Sequence, residues 1–217
     1  MDKITKQFQD KFGGVWTKVK FYKEMPHSSD YKIMKRVRFC EAITKARLFP
    51  VILKSSDISC AGAKYAFGWD HRVGKEIINA CCEKRHISFD TAKSIFLAIP
   101  QLKIPPAAIG LNTDGKPDLL ISYPQPEQFM NLLKVFQQYK GENLTVSLSS
   151  IMGVCGNVAV KTYLKERISI SFGCDDSREY GHISRDRLAV GIPFNTKMMS
   201  YSHNPFQIMN AGKGGFG

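Results

Sequence analysis

Cysteine carries most of the chemistry this chain can offer, with six in 217 residues. Four of them stand where elements are expected to end: Cys40 two residues after Arg38, then Cys60, Cys155 and Cys174. A cysteine at a helix N-terminus feels the helix dipole and the unpaired backbone N–H groups. Both favour the thiolate, the form that attacks electrophiles and binds metals. Four such residues converging on one cleft would ligate an iron–sulfur cluster or, as second choice, zinc. No Cys-x-x-Cys pair imposes that arrangement, and the plainer account is small buried thiols packed against Ala and Gly. The tandem Cys81-Cys82, on an expected helix, points its side chains about 100° apart and reads as core filling. His71, His86 and His182 read as surface residues. Lys20, Arg38 and Arg178 are the cations expected to hold a bound carboxylate or phosphate. Ser55-Ser56 and Ser149-Ser150 each precede a Gly-containing turn and offer N–H groups to an anion, but neither forms a Walker loop or a dinucleotide fingerprint.

The elements that must position these residues follow an α/β grammar. Val51-Ile52-Leu53 leads through Ser55-Ser56 to Cys60, and Val146-Ser147-Leu148 leads through Ser149-Ser150 to Cys155, over the same nine positions. Both read as strand, Ser/Gly loop, cysteine and helix, so the expected fold is two pseudo-repeated strand–helix–strand–Cys-loop–helix lobes in one compact unit. Residues 1–14 form an N-terminal helix with Ile4, Phe8 and Phe12 on one face. Residues 15–99 form the first lobe, 100–117 a Pro-rich crossover, 118–205 the second lobe and 206–217 a flexible tail. Within this plan Val15–Tyr22 is a strand and 34–48 a helix burying Phe39, Ala42, Ile43 and Ala46. Residues 74–85 and 126–138 are helices, 91–99 is a short helix or covering segment, and 118–123, 144–148, 168–172 and 188–194 are strands.

Composition sets the outer bounds. A hydrophobic content of 43% with 14 Phe supports a real core rather than disorder. No apolar run approaches the roughly 20 residues of a membrane span, and the first residues lack a signal core, so a cytoplasmic setting and reduced thiols are expected. The formal charge of +12, from 31 Lys and Arg against 19 Asp and Glu, suits an anionic partner. The basic residues are spread along the chain without an RNP-like or zinc-finger spacing, which points away from nucleic acid and towards a small molecule or a merely basic surface.

One resemblance adds to this reading. Val19-Lys20, Arg38-Phe39-Cys40 with Ala46-Arg47, and Ser59-Cys60-Ala61-Gly62-Ala63 with Phe67-Gly68 resemble the domain of unknown function 169 family, also called ArCR. So do Pro117-Asp118, Pro126-Glu127-Gln128-Phe129-Met130, Cys155, Gly173-Cys174 with Arg178, and Val190-Gly191-Ile192-Pro193. The likeness runs over roughly residues 15–200. Cys174 is followed by Asp175-Asp176-Ser177, where the family pattern leads one to expect a glycine before the arginine. Members from archaea and anaerobic bacteria imply a cell interior hospitable to oxygen-sensitive centres, but no activity. The reading is therefore a cytoplasmic cysteine-ligated metal or iron–sulfur protein of anaerobic redox or cofactor metabolism. Cys40, Cys60, Cys155 and Cys174 are its ligands, and Lys20, Arg38 and Arg178 hold an anion. Two alternatives stand beside it: an enzyme using Cys60 or Cys155 as a thiolate nucleophile, and a binding module without chemistry.

Overall fold

The computed structural model describes residues 3–27 and 31–194. These residues form eight α-helices and one seven-stranded sheet. Strand β1 (Trp16–Tyr22) lies at the centre. It is paired antiparallel on one side with β4 (Ala108–Leu111) and on the other with β5 (Leu119–Ser122). Outside β4 come β3 (Val51–Leu53) and then the short β2 (Lys32–Ile33), whose pairing with β3 is parallel. Outside β5 come β7 (Ala189–Pro193) and β6 (Ser169–Ser171), both antiparallel. The strand order is β2-β3-β4-β1-β5-β7-β6.

Side-chain alternation along the strands divides the core in two. Val19, Leu111, Leu119 and Ile121 face one way, towards α2 (Phe39–Lys45), α3 (Ala61–Ala66), α4 (Lys75–Arg85), α5 (Phe89–Ala98) and the segment 151–160. Trp16, Leu120, Val190 and Ile192 face the other way, towards α1 (Lys3–Phe12) and α6 (Pro126–Lys140). Helix α6 starts with proline at its first position and ends at Gly141 in the left-handed conformation. On α1 the four-residue spacing of Phe8 and Phe12 builds an aromatic stack. Phe8 lies 5.5 Å from Phe12 and 5.2 Å, edge-on, from Trp16 at the start of β1.

The mixed α/β class is as expected, whereas the two-lobe repeat does not recur in the structure. Residues 143–149 form no strand, so the second copy of the strand–loop–cysteine unit is missing. Cys155 opens a π-helical segment, Cys155–Val160, instead of ending a loop. The Pro-rich stretch 100–117 contains β4, a central strand, because Ala108-Ile109-Gly110-Leu111 is apolar on both faces and short enough to hide between turns. The helix expected over 34–48 is confined to Phe39–Lys45, although Phe39, Ala42, Ile43 and Ala46 are all buried as expected. The tail 206–217 and the end of the second expected lobe lie outside the described residues.

Phe8 is 1% exposed, so Phe8→Ala removes a ring that nothing can replace by collapse. We expect a loss of about 3–4 kcal/mol in urea unfolding, and an unchanged midpoint would show that α1 does not belong to the cooperative fold.

Candidate functional site

Four segments that are distant in sequence deliver the four cysteines to one cleft of about 370 Å³. Cys40 is the second residue of α2, Cys60 caps the start of α3, Cys155 opens the π-helical segment, and Cys174 precedes α8 (Asp175–Glu179). Close backbone approaches make this possible. A side chain on Gly153 would meet the Gly173 backbone at 2.5 Å, so the chain before Cys155 lies directly on the chain before Cys174. A side chain on Gly62 would meet Met152 at 2.8 Å, which draws the start of α3 onto the same segment. The π-helical turn is read from its bonds: Asn157 N donates to Met152 O at 3.0 Å and Ala159 N to Val154 O at 2.8 Å, each spanning five residues. The buried Asn157 amide steadies the turn by donating to Ile151 O at 2.8 Å.

The thiols sit in an apolar interior with a charged rim. Burial, reinforced by the neighbouring cysteines, pushes the pKa of Cys40 and Cys155 well up from the ordinary thiol value and makes them weaker acids. Cys60 is raised too, chiefly by burial. Backbone N–H groups partly offset this, those of Ala63 and Gly62 at Cys60, Glu41 at Cys40 and Gly156 at Cys155. The Cys40 thiol itself donates to Asp176 O at 3.8 Å. At the rim Arg38 pairs with Asp176 at 3.0 Å and stacks 3.4 Å over the Tyr180 ring. Arg85 and Lys84 reach Asp175 at 3.1 and 3.5 Å, and Arg85 also donates to Ser150 Oγ at 2.6 Å.

Of the seven residues singled out from sequence, the cleft gathers five: the four cysteines and Arg38. Lys20 and Arg178 are elsewhere. Lys20 alternates with Val19 and so lies on the opposite face of the sheet, where its ammonium sits 5.1 Å from the Tyr22 ring. Arg178 turns inward and donates to the carbonyls of Ile183 at 3.0 Å, Arg187 at 3.2 Å, and Ser184 and Phe172, which pins the turn after α8. Sequence reasoning missed Cys81, Lys84 and Arg85 as cleft residues. Their signal is the helical spacing of Ile77, Cys81, Lys84 and Arg85 on α4, which puts them on one face. Cys82 points off this face and is half-buried. Among the described residues, no three His, Cys, Asp or Glu side chains are grouped closely enough to hold a single metal ion. No helix among them is long and apolar enough to cross a membrane.

The donor set is soft, its sulfurs receive N–H groups, and the rim holds three cations paired with two carboxylates. These features fit a thiolate-bound cluster. Residues 18–199 match the model of a family described as Uncharacterised ArCR, a domain of unknown function. The uncharacterized protein MJ0308 of Methanocaldococcus jannaschii is 24% identical over 165 residues, covering 72% of this chain and 71% of that protein. No solved structure matches the chain.

Two outcomes follow from this geometry. The folded state holds Cys40, Cys60 and Cys155 as neutral thiols beyond the pH at which the unfolded chain ionises them, near the ordinary 9.0. Their contribution is therefore complete below pH 9 and falls as pH rises further, so the urea midpoint should drop steadily as pH is raised above the ordinary thiol value. Cys155→Ala should flatten that drop, and a midpoint independent of alkaline pH would contradict the burial. Gly153→Ala should cost about 1–3 kcal/mol, the range for overpacking, and should make Cys155 and Cys174 accessible to alkylation, as measured by mass spectrometry.

Proposed function

We propose that this chain, which belongs to the uncharacterised ArCR family, holds an iron–sulfur cluster on Cys40, Cys60, Cys155 and Cys174 and serves anaerobic redox or cofactor metabolism in the cytoplasm. The observation that carries this reading is the convergence of four cysteines from four separate segments on one apolar cleft. Chance packing of buried thiols gives no reason for all four to line the same cavity. A single zinc ion requires ligands at about 2.0–2.3 Å around one point, and no three candidate side chains among the described residues are grouped in that way.

Each group then has a physical task. The cysteines would hold such a cluster as thiolates, and the N–H groups of Gly62, Ala63, Gly156 and Glu41 would stabilise the sulfur charge. Arg38, Lys84 and Arg85 offset the remaining negative charge while tied to Asp176 and Asp175, so that none collapses into the cavity. The apolar wall of Phe96, Ile77, Ile151 and Met152 keeps water away from the sulfurs. Such a cluster, when bound, supplies electron transfer or a Lewis-acidic iron. The thiolate-nucleophile alternative draws less support, because attack needs a lowered thiol pKa and burial raises those of Cys40, Cys60 and Cys155.

Protein purified and reconstituted without oxygen should retain iron and acid-labile sulfide and show broad thiolate-to-iron absorption. Single Cys60→Ser and Cys155→Ser variants should lose most of the iron, while Cys82→Ser should keep it. A wild-type protein that binds no iron under these conditions sinks the proposal.

A further inference from the structure

A second cavity, of about 410 Å³, adjoins the cysteine cleft and has two arginines but no carboxylate in its lining, the exposed Asp186 beside Arg187 lying outside it. Arg47 follows α2, and Arg187 lies in the turn before β7; Thr44, Tyr123, Gln128 and His182 line the same space. No Asp or Glu is among the described residues of this lining. Arg187 spends one N–H on Tyr123 O at 2.9 Å. The Arg47 guanidinium has no hydrogen bond or ion pair among the described residues, only the Tyr123 ring 5.6 Å away. Desolvation, with the Arg187 charge adding to it, lowers the pKa of Arg47. Like charges that share a partly desolvated cavity repel each other, and an oxyanion held in the guanidinium forks relieves both the repulsion and the unused donors.

The turn is built to hold this position. Arg178 fixes the backbone of Ile183, Ser184 and Arg187, and Thr44 Oγ1 donates to Gly181 O at 2.8 Å, tying the turn to α2. Tyr123 is 4% exposed, and its hydroxyl is buried without a partner in the wall between the two cavities. An unsatisfied phenol is costly in a native interior and marks a place where a further group is accommodated. We propose that this cavity is a binding site for a small oxyanion-bearing metabolite, a carboxylate or phosphate, gripped by Arg47 and Arg187 and further oriented by Gln128 and His182. It is distinct from the cysteine cleft and does not depend on what the cysteines hold. The sequence-derived choice of Lys20, Arg38 and Arg178 for an anion gives way here to a different pair, because those three do not meet.

The test is isothermal titration of the full chain with inorganic phosphate and, separately, with malonate, at ionic strength held constant with chloride. We expect one saturable site for at least one of the two, and the responding anion assigns the phosphoryl or carboxylate class. Arg47→Gln, at a solvent-accessible position, should keep the wild-type melting temperature and weaken binding about ten- to a hundredfold, the loss of a charged hydrogen-bonding partner. Arg187→Lys should weaken it as well, and Lys20→Gln should leave it unchanged. Absence of saturable binding for both anions, or wild-type affinity in folded Arg47→Gln, overturns the proposal. Iron content plays no part in this readout, so its failure and that of the cluster reading are separable.

Discussion

The backbone contact between Gly153 and Gly173 is the constraint on which the cleft depends. With 2.5 Å between a notional side chain on one and the backbone of the other, neither segment could approach if residue 153 carried a Cβ. The contact stacks the chain leading into Cys155 on the chain leading into Cys174. Gly62 against Met152 then brings in the start of α3 with Cys60, and Gly181, whose Cβ position is 3.2 Å from Cys40 Cβ, brings in α2. Four thiols therefore line one cleft because small residues let four backbones crowd together, while the sheet behind them, through Leu111, Leu119 and Ile121, supplies an apolar floor.

The electrostatics of the two cavities differ in kind. In the cysteine cleft the charged groups are already matched, Arg38 with Asp176 and Arg85 with Asp175, and the interior is neutral as long as the thiols keep their protons. The rim pairs are partly exposed, so their value lies in fixing side-chain positions more than in stability. In the neighbouring cavity no carboxylate lines the space: Arg47 has access to solvent, and the acidic neighbour of Arg187, Asp186, is exposed outside the lining. If the proposed ligands bind, the first region would exchange thiol protons for a soft metal centre and the second would accept an anion.

Much of the fold was legible because it rests on local patterns. Alternation located β1 and β6, and short apolar runs located β3, β5 and β7. The four-residue spacing of Phe8 and Phe12, and the Pro126 and Gly141 boundaries, located α1 and α6. The cysteines were legible as a set but for a reason that did not hold throughout. Cys60 does cap a helix, whereas Cys155 lies inside a π-helical turn, and no strand precedes it at 146–148. An equal nine-residue spacing is matched by different local structure in the two places. The cations were less legible, because a side chain's destination depends on strand parity and tertiary contact. Lys20 is carried to the far face of the sheet by its parity with Val19, and Arg178 is consumed by backbone carbonyls. Cys81, Lys84 and Arg85 came into view only when α4 was set against the start of α8, since their spacing alone also describes a solvated helix face.

Helix α2 connects the two cavities. Cys40 and Thr44 stand one turn apart on it, the first at the cysteine cleft and the second on the anion side, and Arg47 follows directly after its end. Opposite them Gly181 touches Cys40 and accepts from Thr44, while Tyr123 separates the cavities with burial and the nearby Cys40 both holding its phenol protonated. A helix of seven residues braced at both ends has little freedom to move one end alone. Charge brought to Arg47 and Arg187 would act on the thiols through Tyr123 and through α2 itself, across a wall of low dielectric where such fields are weakly screened. An anion held in this cationic cavity, directly behind a buried thiol set, would thus tune the sulfurs from the rear without any ligand entering the cleft itself.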